Sequence, residues 1–301
     1  MSLIKEFAVE PRVMATWEHF NSLWPDFGAG QGRLISKYPV LWKSKVDELA
    51  ERLSKPVRAK AIREKIRRDG YKFLDTGRTY HGGDDWLKNA LAQMTIQPFH
   101  AIIALENPGG STGVLVAGDF EKDEPPYQVV TEKFIPRKAA EIAGSARLLL
   151  GHCEEVQLVD PYFDPCEPRF SNTFAAMLGL CEARHIKVLE IHQKKPDPFK
   201  RDVQESHYHR RLAEMVPKGL TLRVYFWSQH PGGEETHPRF LLTELGGIHF
   251  ERGLDEGEPG MTTLVKPLSH EAWQKCRRDY SQVGAAFAIT PDCVLAIPGQ
   301  G

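Results

Sequence analysis

The segment EVQLVDPY, residues 155–162, begins the part of the chain that decides the fold. Its apolar run is followed by a helical pattern at 173–184. The same order repeats with IKVLEIH at 186–192, a helix at 203–215 and LTLRVYF at 220–226. Strands that alternate with helices are joined by crossover connections, which place them parallel in one sheet. We therefore predict an α/β layered sheet flanked by helices.

The N-terminal third of the chain has a different pattern. Trp17 and Phe20 begin an apolar stripe at helical spacing, and a second helical pattern covers residues 40–53. We expect residues 1–95 to form a mainly helical region without an assigned role. Residues 96–301 are then expected to form the α/β domain.

A turn signal lies at the start of that second region. Apolar runs at 99–105 and 114–117 flank the turn-forming residues at 107–110, which read Asn-Pro-Gly-Gly. Two strand-like runs separated by such residues are typical of a β-hairpin. We predict an antiparallel pair at this position.

Composition is that of an ordinary globular protein. The chain has 301 residues, a formal net charge of -1, 41% hydrophobic and 26% charged residues. No apolar run is long enough to span a bilayer, and Met1 is not followed by a signal-peptide pattern. The five cysteines lack the spacing of a disulfide framework or a zinc site, so we expect reduced thiols and a cytoplasmic location.

The segment EETHPRFLLTELGGIHFERGLDEGE, residues 234–258, carries the chemistry. His237 and Arg239 lie two residues apart, on one face of a strand, and Glu244 follows five residues after the arginine. A histidine can attack phosphorus, an arginine can hold phosphate oxygens bidentately, and a carboxylate can orient the imidazole. The alternative is an edge-strand histidine beside an exposed arginine.

Three short motifs occur in order along the chain: Asp160-Pro-Tyr162, His237-Pro-Arg239 and Gly253-Leu-Asp255. Together they resemble the phospholipase-D-like domain at the C-terminus of MIT-domain proteins and of related bacterial proteins, over about residues 130–260. The motif departs from the phospholipase D pattern in having arginine for lysine and glutamate for aspartate. The resemblance implies a phospholipase-D-like fold. Because eukaryotic members are thought to bind acidic phospholipid head groups without turnover, it implies phosphate recognition more firmly than catalysis.

Further candidate residues lie at the ends of predicted strands. His192 and Lys194 follow an apolar strand, where ligands collect in open α/β sheets. A phosphohistidine route needs a second histidine as proton donor. Either His192 supplies it, or two chains pair and each contributes one His237; a third outcome is binding without turnover. A surface-loop histidine is the alternative reading of His192. The predicted phosphate-binding residues are Lys194, Arg252, Asp255 and Asp160, and we expect them to meet the catalytic set in one cleft.

The segment 55–72 is strongly basic. Its cations could contact a phosphate polymer and release counterions on binding, or they could form an ordinary solvated helix face. The candidate nucleic-acid-binding residues are Arg58, Lys60, Arg63, Lys65, Arg67 and Arg68.

Two functions follow from these patterns. The first is a metal-independent phosphodiesterase, most naturally a nuclease, with His237 as nucleophile and no cofactor. The second is a non-catalytic phosphate-binding module that contacts nucleic acid or acidic lipid. The expected partners are nucleic acid, a second copy of the chain, or the components of a larger assembly. The kind of bacterial relatives suggests a role in defence.

Overall fold

A computed structural model describes residues 2–83, 85–235, 237–281, 284 and 286–301. The chain divides into an N-terminal unit, Ile4–Val130, and a C-terminal unit, Thr131–Gly301, which also takes the first residues up to Leu3. The predicted division at 95/96 therefore falls inside the N-terminal unit. The apolar runs at 99–105 and 114–117, which we predicted to form a hairpin of the α/β domain, belong instead to the N-terminal unit.

The N-terminal unit is built on a five-stranded sheet in the order β3-β2-β1-β4-β5. Its strands are β1 (Lys5–Val9), β2 (Arg33–Ser36), β3 (Phe73–Leu74), β4 (Ala101–Ala104) and β5 (Val114–Val116). Every neighbouring pair is parallel. A parallel sheet is covered on both faces, and most strand positions here are accordingly buried instead of alternating between buried and exposed.

Helices cover both faces of this sheet. They are α1 (Pro11–Ala15), α2 (Trp17–Leu23), α3 (Trp42–Leu53), α4 (Pro56–Arg68) and α5 (Trp86–Ile96). Phe7 and Ile103 belong to a core with residues of α1 to α4, whereas Ala8 and Ile102 belong to a second core with α5. The unit is thus a doubly wound α/β structure.

Most residues of 1–95 are helical, as predicted, but the prediction missed the three parallel strands that lie among the helices. Strands of two to five residues are too short to show a clear period of two, and the longer helices dominate the pattern. The predicted hairpin is wrong, because β4 and β5 pair in parallel with Ile102 opposite Val114. Residues 105–113 carry the chain back to the other end of the sheet before β5 begins.

The C-terminal unit contains a nine-stranded mixed sheet in the order β13-β9-β8-β7-β10-β11-β12-β6, with β14 also paired to β9. The strands are β6 (Lys133–Pro136), β7 (Glu155–Val159), β8 (Val188–Lys194), β9 (Thr221–Gln229), β10 (Phe240–Thr243), β11 (Gly246–Phe250), β12 (Thr262–Pro267), β13 (Phe287–Ala288) and β14 (Val294–Pro298). Only β7, β8 and β9 are mutually parallel. The predicted α/β sheet flanked by helices is confirmed.

The helices of this unit are α6 (Ala139–Ser145), α7 (Arg147–Leu150), α8 (Pro168–Leu178), α9 (Arg201–Leu212) and α10 (His270–Asp279). Helix α8 starts earlier than the predicted 173–184, because Pro168 fits the first helical turn. In the part of the chain that the structure describes, no helix has both the length and the apolar character needed to cross a membrane.

The pairing of β10 with β7 determines which residues meet at one edge of the sheet. It runs antiparallel to β7, with Phe240 opposite Val159 and Leu242 opposite Gln157. Strand β10 therefore begins where β7 ends. Residues just before β10 and just after β7 meet at the same edge of the sheet.

Lys72 is a buried cation of the N-terminal unit and gives a pH-dependent prediction. It is 6% exposed, its Nζ donates to the carbonyl of Trp24 at 2.8 Å, and burial lowers its pKa to about 8, against the opposing charge of Asp69. The unfolded chain therefore binds more protons than the folded one between about pH 8 and 10.5. The free energy of unfolding should rise across that window, by about 3 kcal/mol at most.

Urea unfolding followed by tryptophan fluorescence, at pH values on either side of the window, measures this rise. The Lys72→Met variant is the control, since it keeps the apolar stem and loses the titrating group. A rise of equal size in the variant would show that another group is responsible.

Candidate functional site

Asp160 directly follows β7 and is the buried centre of the candidate site. It is 1% exposed, and its Oδ1 and Oδ2 accept hydrogen bonds from the amides of Tyr162 and Leu254, each at 3.0 Å. Burial raises the pKa of Asp160, while the two amides and the charge of Arg239 oppose the rise. The bond from Leu254 fastens the segment after β11 to the carboxyl end of β7.

His237 and Arg239 reach the same edge because they directly precede β10. The His237 ring lies edge-on to Tyr162, with 6.0 Å between the ring centroids. The guanidinium carbon of Arg239 lies 5.0 Å from the centroid of the same tyrosine. His237 is exposed and Arg239 is partly buried. Tyr162, which sequence reasoning treated only as part of a motif, is thus the common contact of both residues.

Arg239 has unused hydrogen-bonding capacity. Its Nε is buried and has no hydrogen-bond partner, and its guanidinium forms no salt bridge with any residue in the described ranges. Guanidinium carries five N–H donors, and a partly buried donor without an acceptor is costly. This arrangement suits an external anion placed over Tyr162.

Asp255 lies beside Asp160 and is paired with two arginines. Arg137 Nη2 lies 2.5 Å from Oδ1, and Arg169 Nη1 lies 3.3 Å from Oδ2. The Arg137 side chain is 13% exposed and that of Arg169 is 54% exposed. Sequence reasoning missed both arginines, which lie far from Asp255 along the chain. The one usable signal was that a buried aspartate needs a cation.

Gly253 allows the two carboxylates to approach. Its φ is +105°, a conformation that side-chain-bearing residues rarely adopt. A Cβ at this position would lie 2.8 Å from Asp255 Oδ1 and 3.5 Å from Asp160 Oδ2. The Gly-Leu-Asp motif is therefore required for packing as well as for charge.

Glu244 does not orient His237, contrary to the prediction. Its two carboxylate oxygens accept hydrogen bonds from the amides of Glu154 and Glu155, at 2.9 and 3.1 Å, at the opposite end of β7. Five residues of extended chain cover roughly 16 Å, so a carboxylate five residues after Arg239 lies at the other edge of the sheet. Burial raises the pKa of Glu244, and the backbone donors oppose this rise.

His192 does not join the site either. It is 1% exposed, and its ring stacks on Tyr225 with 4.8 Å between centroids. Trp227 Nε1 donates to Nδ1 at 3.1 Å, and Nε2 lies 3.2 Å from Glu190 Oε2. Because an indole nitrogen can only donate, Nδ1 accepts and the ring proton belongs on Nε2, facing Glu190. Both nitrogens are occupied, so the predicted role as proton donor is contradicted.

Lys194 and Arg252 lie near the site by their backbone positions. The Lys194 amide lies 3.4 Å from the carbonyl of Pro161, and the Arg252 amide donates to Thr263 Oγ1 at 3.1 Å. Both side chains are exposed. Neither forms a salt bridge with another described residue. Neither side chain forms a hydrogen bond with a described residue, so both are available to a ligand.

Most of the basic segment lies in α4, and carboxylates pair with all four of its arginines. The partners are Glu18 for Arg58, Asp47 and Glu51 for Arg63, Glu64 for Arg67, and Asp69 for Arg68. Among the described residues, Lys60 and Lys65 have no salt bridge. The helix is therefore not a continuous cationic strip, which weakens the prediction of a nucleic-acid surface. Exposed pairs are worth about 1 kcal/mol or less, so a phosphate polymer could still displace them.

A cavity of about 650 Å³ opens beside Arg137. Lys138, Asn172 and Glu256 also line it. Two of these residues are held together, since Asn172 Nδ2 donates to Glu256 Oε2 at 2.7 Å. Ala139 and Ala140, at the start of α6, form another part of its wall.

The site contains buried carboxylates and, closer to its surface, cationic and imidazole side chains. Asp160 and Asp255 are internal partners, whereas Arg239, His237 and Lys194 face outward or lack acceptors. Within the described ranges, no group of three or more His, Cys, Asp or Glu side chains is placed to hold a metal ion. Guanidinium and imidazole donors above an aromatic ring can bind the oxygens of an anion. No family model, curated protein or solved structure matches the chain.

Proposed function

We propose that the C-terminal unit recognises a phosphate group in a phospholipase-D-like manner, at the surface formed by Tyr162, His237 and Arg239. The observation that carries the proposal is the Arg239 guanidinium, which lies over Tyr162 and lacks an acceptor among the described residues. Phosphate oxygens match its planar fork and would satisfy several donors at once. His237 would add a further donor from the exposed side.

The buried carboxylates support this role indirectly. A free phosphate would be repelled by Asp160 and Asp255 if they faced it, but the first is occupied by two amides and the second by two arginines. Asp160 holds the segments of Tyr162 and Leu254, and its charge acts on Arg239. The ligand would meet the cations, and the acids would remain behind them.

The geometry favours recognition without turnover. His237 lacks the carboxylate that would orient its imidazole, because Glu244 lies at the far end of β7. His192 is engaged on both nitrogens, so the same chain offers no second histidine from that position. We therefore propose a phosphate-binding module for nucleic-acid phosphodiesters. The alternative is catalysis by a dimer, in which each of two chains contributes its exposed His237.

The proposal extends to the cellular setting. It places the protein in the cytoplasm, where its five free cysteines would stay reduced. There it would act as a homodimer or within a larger, defence-related assembly that contacts nucleic acid.

Fluorescence anisotropy with labelled DNA and RNA oligonucleotides tests the proposal on the full chain. Arg239→Gln should weaken binding by about 10- to 150-fold, since a charge-assisted bidentate contact contributes about 1.5–3 kcal/mol. Arg239→Lys should recover only part of the affinity, because lysine is a point charge. The matched control is Arg184→Gln, on an exposed residue of the same unit.

Two further experiments distinguish a lipid ligand from nucleic acid, and binding from hydrolysis. Vesicles containing anionic phospholipid, compared with neutral vesicles, distinguish a lipid head group from nucleic acid. Hydrolysis of bis-p-nitrophenyl phosphate in EDTA that is lost in His237→Ala would select the two-chain enzyme. Equal binding by wild type and Arg239→Gln in every assay would refute the phosphate site.

A further inference from the structure

A second site lies in the N-terminal unit, at the point where its strand order reverses. From β1 the chain moves outward to β2 and β3, and it then returns to place β4 on the other side of β1. The connections after β1 and β4 therefore lead away to opposite sides. In doubly wound sheets, ligands bind in the crevice outside the carboxyl ends of the strands at this switch point.

Glu10 stands in that crevice. Its amide donates to the carbonyl of Ile103 at 2.8 Å, and its Oε2 accepts from the amide of Leu105 at 2.9 Å. The side chain thus spans the ends of β1 and β4. Burial raises the pKa of Glu10, with the Leu105 amide and Arg12 opposing the rise. One carboxylate oxygen, Oε1, remains without a hydrogen bond to a described residue.

A cavity of about 320 Å³ opens beside Glu10. Its walls come from both faces of the sheet: Lys45 and Glu48 lie on α3, whereas Tyr80 precedes α5 and Trp86 is the first residue of α5. This placement across the carboxyl edge of the sheet agrees with the topological rule. The cavity lies wholly within the N-terminal unit.

The walls carry charges of both signs, from Arg12 and Lys45 and from Glu10 and Glu48, beside aromatic rings. Arg12 and Lys45 form no salt bridge with any described residue. Lys45 Nζ lies 4.9 Å from the centroid of the Tyr80 ring. Trp86 Nε1 donates to the carbonyl of Tyr38 at 3.1 Å, which fixes the indole in place. Two cations, carboxylate acceptors and aromatic rings thus surround one space.

The connection after β1 excludes the usual way of binding a dinucleotide. It reads Glu10-Pro11-Arg12, without glycine, and α1 is only five residues long. Proline has no N–H, so the backbone donors that hold a pyrophosphate are reduced. Cationic side chains would have to bind the phosphate instead. A volume near the lower limit of ligand pockets suits one nucleotide and not two.

We propose that this cavity binds a mononucleotide. Arg12 and Lys45 pair with its phosphate, the base packs against Tyr80, and Glu10 accepts hydrogen bonds from the sugar hydroxyls. The site is separate from the phosphate-binding surface of the C-terminal unit. It is built from side chains that the proposed function does not use.

Isothermal titration calorimetry on the full chain tests the assignment with AMP, GMP, CMP, UMP, NAD⁺ and inorganic phosphate as probes. At least one mononucleotide should bind, and Arg12→Gln and Lys45→Gln should each raise its Kd by about tenfold. Both side chains are at or near the surface, so thermal unfolding should be unchanged. Lys88→Gln, on an exposed residue of α5 outside the cavity, should leave the Kd unaltered.

The other outcomes decide against the proposal. Tighter binding of NAD⁺ than of every mononucleotide would assign a dinucleotide site. Equal affinity for inorganic phosphate and nucleotides would remove the role of the base and sugar. Nucleotide binding that is lost in Arg239→Gln but survives Arg12→Gln would place the ligand in the C-terminal unit. Absence of binding by all four mononucleotides would overturn the proposal.

Discussion

Replacing Arg78 with leucine should strongly destabilise the N-terminal unit. Arg78 and Glu6 form a bidentate pair, with Nε 2.9 Å from Oε1 and Nη2 2.5 Å from Oε2, and their side chains are 1% and 6% exposed. Removing one partner leaves an uncompensated charge on β1, at a cost of about 3–5 kcal/mol. This is a large part of the total of about 5–15 kcal/mol that stabilises a typical domain.

Hydrogen–deuterium exchange of the β1 and β4 amides measures the loss within this unit. The control is Arg52→Leu, whose salt bridge with Glu48 is exposed and should cost less than about 1 kcal/mol. The double variant Glu6→Leu with Arg78→Leu should recover part of the stability, since no unpaired charge remains. Equal protection of β1 in Arg78→Leu and wild type would contradict the assignment.

Asp255→Ala should have the second large effect, in the C-terminal unit. The change leaves Arg137 without its carboxylate in a site where that side chain is 13% exposed, and it also frees Arg169. We expect a destabilisation of about 3 kcal/mol, at the lower end of the range for a broken buried pair. Affinity for a phosphate ligand should not fall, because the substitution increases the positive charge around the proposed site.

Exchange of the β7 and β11 amides and the anisotropy assay together test this prediction. Glu251→Gln, which changes an exposed acid next to Arg252, is the matched control. Reduced affinity in a variant that retains full stability would instead make Asp255 a direct contact of the ligand.

The central strands of the C-terminal unit could be predicted because each is long, apolar and followed by a helix. Strand β7 ends at Val159, as the sequence pattern indicated, and Asp160 and Tyr162 lie beyond it. Asp160, His237, Arg239 and Asp255 could be found because short motifs mark them. The approach of Asp160 to Asp255 depends on Gly253, whose positive φ is readily adopted by glycine because it lacks a Cβ.

The remaining features depend on contacts between distant segments. Strand β3 has two residues, which is too few for any periodic signal, and the parallel sheet of the N-terminal unit was therefore missed. The pairing of Arg137 and Arg169 with Asp255 could not be predicted, because these residues are far apart along the chain and meet only in the folded protein. His192 was misassigned because a polar residue at the end of a strand can also be satisfied by aromatic neighbours such as Trp227.

The contacts of Glu244 explain the five-residue spacing between Arg239 and Glu244 by strand alignment instead of catalysis. By holding the first amides of β7, it anchors one end of β10, while Phe240 opposite Val159 fixes the other end. The number of residues between Arg239 and Glu244 therefore sets the register of β10 against β7. A slip by one residue would turn Arg239 to the opposite face of the sheet, away from Tyr162. The spacing of this motif therefore has a structural explanation in strand alignment, which is independent of any catalytic role of His237.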